Sequence, residues 1–302
     1  MKYIEKWLNT MTDLRPIPTE VEPRLDKIEG LKAIIFDIYG TLVVSASGDI
    51  NQIDLSQQNM RTALREADYL LPEKDPKKGE KVVAELLQQF VDILQKHQQK
   101  LRDSGAPFPE ADIRHVWDEW LQYALNKKFI HTNGASDITR LTFVFEMLSN
   151  KIHPMPGMLE VLHYFHDRKY PLGIVSNAQF YTPVMMNFFI DGQARDTESL
   201  PLFNDDITQF SYSLHKAKPD RTLFVPVLKA LKENYGIAPH QAVFVGNDMY
   251  NDIYPAQELG MKTIFFAGDK RALRLREDKP EVKNVRPDAV ITELLQLKQI
   301  IV

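Results

Sequence analysis

From His153 to the end of the chain, short apolar runs alternate with helix-patterned segments, and this alternation constrains the fold more than any other feature. The runs PLGIVS (171–176), AVFVG (242–246), KTIFFA (262–267) and AVI (289–291) read as strands, with ITQFS (207–211) as a further one. Segments 156–169, 179–190, 219–235 and 252–260 read as helices between them, and a last helix closes the chain. Upstream, LKAIIF (31–36) ends on Asp37 and is followed by Gly40, the pattern of a buried strand running into a turn. Strands alternating with helices imply a parallel sheet covered on both faces, a doubly wound α/β fold. In such sheets ligands sit at the carboxyl ends of the strands.

Residues 50 to 150 have a different texture. Strand-like runs are absent, and in 81–101 the residues Val82, Val83, Leu86, Leu87, Phe90, Ile93, Leu94 and Leu101 recur at helical spacing. Segments 52–70, 109–126 and 136–150 read as helices too, separated by Pro72, Pro76 and Gly79 and by Gly105, Pro107 and Pro109. A short helix over 3–14 precedes an irregular arm that carries Pro16, Pro18 and Pro23. The chain thus divides into an N-terminal arm (1–30), an α/β core (31–44 and 153–302) and an inserted all-α cap (45–152).

Composition narrows the function classes. With 37 Lys+Arg against 41 Asp+Glu the 302-residue chain has a formal charge of −4, without the basic face that nucleic acid or an anionic membrane requires. It has no Cys, which excludes thiolate metal sites, disulfides and cysteine nucleophiles. No segment approaches the ~18 consecutive apolar residues of a membrane span, and the start MKYIEKWLNTMTDLRP lacks the apolar stretch of a secretory signal. These features point to a cytoplasmic protein with no nucleic-acid or membrane partner, monomeric or homodimeric.

Four polar clusters fall at predicted strand ends. Asp37-Ile38-Tyr39-Gly40-Thr41 points a carboxylate into the crevice. Ser176-Asn177 offers a hydroxyl and an amide for an oxyanion, although Ser-Asn is also turn material. Lys218-Pro219 places an ammonium just before a helix. Gly246-Asn247-Asp248-Met249-Tyr250-Asn251-Asp252 carries two carboxylates four residues apart, suited to a hard cation such as Mg²⁺ or to a helix N-terminus. The run Lys270–Arg276 reads as a solvated surface loop, and Arg61 with Arg65 as a solvated helix face.

Taken in order, the four clusters resemble the motifs of the haloacid dehalogenase (HAD) superfamily, with Asp37–Thr41, Ser176, Lys218-Pro219 and Gly246–Asp252 as motifs one to four. The resemblance covers about residues 31–298 and implies a Rossmann-like core with a helical (C1-type) cap. It implies a nucleophilic Asp37 that forms a covalent intermediate, assisted by Tyr39, Ser176 and Lys218, with Thr41 and Asn177 toward the substrate. It places Mg²⁺ on Asp37, the Tyr39 carbonyl and Asp248, with Asn247 as a further ligand position and Asp252 orienting a water or Lys218. The activity implied is hydrolysis of a small phosphorylated metabolite.

One residue departs from that pattern. Phosphatases of the superfamily carry a second Asp two residues after the nucleophile as general acid and base, and here the position is Tyr39. A phenol of pKa about 10 is poorly matched to proton transfer at pH 7. Tyr at this place resembles the metal-independent 2-haloacid dehalogenases, whereas Asp248 with Asp252 resembles the phosphatases. The phosphohydrolase reading leads; the alternatives are a dehalogenase working through an ester intermediate and a non-catalytic protein that binds Mg²⁺ and an anion.

Overall fold

The computed structural model describes residues 2–9, 14–46, 55–72 and 76–302. Its strands are β1 (Ala33–Phe36), β2 (Val43–Ser45), β3 (Tyr69–Leu70), β4 (His131–Thr132), β5 (Ile152–Pro154), β6 (Leu172–Ser176), β7 (Thr208–Phe210), β8 (Ala242–Gly246), β9 (Lys262–Phe266) and β10 (Ala289–Ile291). Six of them form one sheet in the order β10-β9-β8-β1-β6-β7, every neighbouring pair parallel. All four residues of β1 and all five of β6 and β8 are buried, as strands covered on both faces must be. The expected doubly wound α/β sheet is therefore present, and β1 lies between β6 and β8, so the ends of these three central strands are adjacent.

Helices α1 (Lys2–Asn9), α2 (Gln57–Glu66), α3 (Pro76–Asp103), α4 (Ile113–Asn126) and α5 (Ile138–Ser149) precede the second half of the sheet. Met60, Leu64, Val83, Leu86, Phe90, Trp117, Trp120 and Phe145 form a separate apolar cluster among α2 to α5. Trp120 buries its ring there, and its indole N–H donates to the Leu86 carbonyl at 2.8 Å, which satisfies the polar atom. Residues 10–13 of the expected N-terminal helix and 52–54 of the expected 52–70 helix lie outside the described residues.

The chain leaves the β1 turn through β2 and returns through β5, and these two short strands pair antiparallel with Val44 opposite His153. Sequence periodicity does not reveal this pair, because three-residue strands are too short to show a period. Helices α6 (Met158–Asp167), α7 (Tyr181–Asp191), α8 (Ser211–Leu214), α9 (Val225–Tyr235), α10 (Tyr254–Glu258) and α11 (Leu297–Ile300) complete the fold. The proline-rich segment after residue 14 is irregular as expected. It is tied to the sheet at two points, where Arg24 bridges Val290 and Ile28 bridges Ile301. Among the described residues no helix is long and apolar enough to cross a membrane.

Candidate active site

Asp37 is the first residue past β1, and its N–H donates to the Val245 carbonyl at 2.9 Å, which anchors it to β8. The chain then turns tightly: the N–H groups of Thr41, Leu42 and Val43 all donate to the Ile38 carbonyl. Gly40 makes this turn with φ +84°, and a Cβ there would stand 2.6 Å from both Asn247 Nδ2 and Ala272 Cβ. Glycine is thus required twice over, by backbone conformation and by space.

The Asp37 carboxylate is 5 % exposed. Its Oδ1 accepts from Ser176 Oγ at 2.9 Å and from Lys218 Nζ at 2.6 Å. No hydrogen bond to Oδ2 occurs among the described residues. One oxygen is held and the other is left to react, the disposition a carboxylate nucleophile needs.

Lys218 reaches Asp37 from the far side of β6, and Asn177 fixes its main chain by accepting from the Lys218 N–H at 2.7 Å. The Nζ bridges Asp37 Oδ1 and Asp252 Oδ1, each at 2.6 Å. Burial works to lower the Lys218 pKa, but the Asp252 and Asp37 carboxylates outweigh it and hold the ammonium above its ordinary value. Asp252 turns its other oxygen to the N–H groups of Asn247 and Asp248, both at 3.0 Å. Gly246 makes room for it, since a Cβ at 246 would lie 2.5 Å from Asp252 Oδ2. Burial drives the Asp252 carboxyl upward, Lys218 pulls it down, and the carboxylates of Asp37 and Asp248 add to the rise. Asp37, Ser176, Lys218 and Asp252 thus converge at the ends of the central strands, with Asp252 seated on Lys218.

Other residues read from the sequence sit differently. Thr41 is fully buried, and its hydroxyl donates to Asn247 Oδ1 at 3.1 Å, so it braces the turn. Asn177 is committed to the Lys218 backbone, and its amide positions the lysine. Asn247 Nδ2 donates to the Ala272 carbonyl at 2.6 Å. The Tyr39 hydroxyl pairs with Thr182 Oγ1 at 2.9 Å. Burial pushes this phenol far above its ordinary value; a Glu146 charge adds to the rise, the Thr182 hydrogen bond opposes it, and Asp37 adds again. Tyr39 is therefore no acid or base near neutral pH.

Asp248 is engaged through both of its carboxylate oxygens. Its Oδ1 accepts from the N–H groups of Tyr250 at 2.9 Å and Asn251 at 3.0 Å, capping the turn Met249–Ile253. Its Oδ2 accepts from Asn251 Nδ2 at 3.0 Å and from Arg276 Nη2 at 2.6 Å, with Arg276 Nε shared between both oxygens. Arg276 is accordingly part of the site's frame and not of a solvated loop, and Arg271 is likewise paired, with Asp269. Mg²⁺ keeps several waters and takes only one or two carboxylates directly, but as arranged here Asp248 does not fit it, since both its oxygens are committed to N–H groups and to Arg276. Asp248 has no lone pair to spare, Asn247 supplies only an amide oxygen shared with Thr41, and Asp252 is paired with Lys218. Among the described residues no group of three or more His, Asp and Glu side chains is arranged to hold a metal ion.

Two residues escaped the sequence reading. Arg276 meets Asp248 across 28 positions that include α10 and β9, too far along the chain for a local pattern to signal the contact. Glu146 lies buried in α5 and is hydrogen-bonded to Tyr181. It had a signal, a single carboxylate inside the apolar run Phe143–Leu148.

Comparison with known proteins places these residues in context. The family model for haloacid dehalogenase-like hydrolases matches residues 31–260. Glyceraldehyde 3-phosphate phosphatase of Pyrococcus furiosus is 39% identical over 84 residues, which are 28% of this chain and 31% of that protein, so the match spans about a third of its length. A 2-haloacid dehalogenase from Pseudomonas syringae shares the fold with a TM-score of 0.52 at 20% identity, over 89% of this chain and 97% of that one. A HAD phosphatase from Thermococcus onnurineus shares it with a TM-score of 0.50 at 17% identity, over 89% and 97%.

Proposed function

The chain belongs to the haloacid dehalogenase-like hydrolases, and from that premise we propose that it is a phosphohydrolase acting on a small phosphorylated metabolite through an aspartyl-phosphate at Asp37. The observation that carries this reading is the asymmetry of the Asp37 carboxylate, with Oδ1 held by Ser176 and Lys218 and Oδ2 free. Oδ2 attacks phosphorus, the bond to the leaving oxygen breaks, and water then cleaves the aspartyl-phosphate to regenerate the carboxylate. Lys218, at contact distance from Asp37, offsets the repulsion between an anionic nucleophile and the phosphoryl oxygens. Because the metal donors do not fit, no step is assigned to Mg²⁺. The phosphatase name of the Pyrococcus relative supports phosphoryl over alkyl-halide chemistry.

A second reading, displacement of halide from a 2-haloacid, is favoured by Tyr39 and by the engaged Asp248. Halide leaves without a proton, and attack on neutral carbon needs no metal. Phosphate and halide release separate the two, measured for wild type and Asp37→Asn, each with Mg²⁺ and with chelator. Phosphate release that survives chelator and is lost in Asp37→Asn is the expected result. Halide release from 2-chloropropionate without phosphate release would replace this reading with the second, and release of neither would leave a binding protein.

A further inference from the structure

We propose that Glu110, in the connection between α3 and α4, is a positioning residue: through Gln179 and Ser211 it couples the docking of that connection on the core to the alignment of Ser176 and Lys218 against Asp37. The inference rests on Asp37 as the nucleophile of the phosphohydrolase reading and deepens that reading.

The connection runs along the core immediately before Lys218. The Ala217 N–H donates to the Phe108 carbonyl at 2.8 Å and the Glu110 N–H to the His215 carbonyl at 3.2 Å, with Pro109 bridging Lys216 antiparallel between them. Gln179, three residues past Ser176, grips the same connection. It is 5 % exposed, and both polar atoms of its side chain are spent there. Its Nε2 donates to Glu110 Oε1 at 2.7 Å and to the Ala111 carbonyl at 2.9 Å, and its Oε1 accepts from the Ile113 N–H at 2.9 Å. Glu110 Oε2 accepts from Ser211 Oγ at 3.1 Å, and that Oγ accepts from the Ala178 N–H at 2.9 Å. Glu110 therefore holds the Ser176–Gln179 loop by two routes.

From this loop the hydrogen bonds continue to the nucleophile. Ser176 Oγ donates to Asp37 Oδ1 at 2.9 Å, and Asn177 Oδ1 accepts from the Lys218 N–H at 2.7 Å. Helix capping does not account for Gln179, because α4 carries its own cap in Asp112. A buried polar network with its members paired fixes one geometry. Without the Glu110 carboxyl, Gln179 and Ser211 each lose a partner, and the loop that carries Ser176 and Asn177 is freed to shift. A displacement of about 1 Å at reacting groups costs ~10²-fold in rate.

The test compares wild type, Glu110→Ala and Glu110→Gln. Gln keeps both contacts, since its Oε1 accepts from Gln179 and its Nε2 donates to Ser211 Oγ, whereas Ala keeps neither. We would measure kcat and KM on 4-nitrophenyl phosphate, beside amide hydrogen exchange read on peptides covering 176–179, 217–218, β1 and β8. In Glu110→Ala kcat should fall ~10²-fold while KM moves by less than about threefold, because the groups displaced act on the nucleophile. Protection should be lost at 176–179 and 217–218 and kept in β1 and β8. Glu110→Gln should recover most of kcat and the protection. An unchanged kcat or unchanged exchange in Glu110→Ala, a loss of protection that extends to β1 and β8, or a Glu110→Gln as impaired as Glu110→Ala would overturn the proposal and leave the phosphohydrolase reading standing. Halide release from 2-chloropropionate without phosphate release in wild type would remove that reading, and the same comparison made on halide release would then decide the positioning role by the same criteria. Release of neither by wild type would remove both.

Discussion

Asp37 and Asp252 at the sheet edge are as deeply buried as Glu146 on α5, yet the two places surround a buried carboxyl with opposite kinds of partner. At the sheet edge one ammonium, Lys218, lies 2.6 Å from both carboxylates, and main-chain N–H groups take the remaining Asp252 oxygen. Elsewhere Glu146 has the Tyr181 phenol for company and Glu110 has Ser211 and Gln179, and both are pushed up to about 7 by burial, which those hydrogen bonds only partly oppose. The difference teaches that burial alone does not set a group's role. A buried ammonium ties two carboxyls into one ion-paired network, whereas neutral partners leave burial to push an acid up.

The comparison is broken most severely at its charged end. Asp37→Asn removes the nucleophile and should lower turnover at least ~10³-fold, with folding intact, as steady-state kinetics beside circular dichroism would register. Lys218→Met leaves two buried carboxylates without their cation and should destabilise the protein by about 3–5 kcal/mol. Urea unfolding reads that loss. Adding Asp252→Asn to Lys218→Met should recover part of it, because the second substitution removes one of the stranded charges.

At the neutral end the sign is set by proton uptake. The folded state holds the Glu146 proton up to about 7, whereas the unfolded chain releases it near the ordinary 4.5. The folded protein therefore binds more protons between these values, so Glu146 makes stability fall as pH rises through that window, by about 3 kcal/mol in total. Unfolding free energies at pH 4.5 and 8 should differ by less in Glu146→Gln. An identical pH slope in the two proteins would show that Glu146 is ionised in the native state.

The smallest effect belongs to Asp248, which stands at the sheet edge but takes no part in the Lys218 chain. Asp248→Ala should lose a cap and a part-exposed ion pair, together about 1–2 kcal/mol. Titration calorimetry should find the same Mg²⁺ response in this variant and in wild type. A magnesium affinity that collapses in Asp248→Ala would restore this carboxylate as a ligand.

How much of this was legible beforehand follows the reach of each signal. The sheet was readable because buried parallel strands are unbroken apolar runs, and LKAIIF, PLGIVS and AVFVG became β1, β6 and β8. Asp37, Ser176, Lys218 and Asp252 were readable because strand ends in such a sheet converge. The pairing of Asp248 was not readable, because a carboxylate in an acidic turn looks the same in sequence whether it faces a metal or an arginine 28 residues away. The β2–β5 pair and the Glu146–Tyr181 contact join residues far apart in the chain, and such contacts leave no periodicity to read.

The central claim is that Asp37 becomes covalently phosphorylated. Rapid acid quench of the protein during turnover of an aryl or acyl phosphate, followed by peptide mapping, tests it most directly. The account predicts a phosphoryl group on the peptide that contains Asp37, present in wild type and absent in Asp37→Asn. Phosphate release with no protein-bound phosphoryl group, or with the group on another residue, would contradict it.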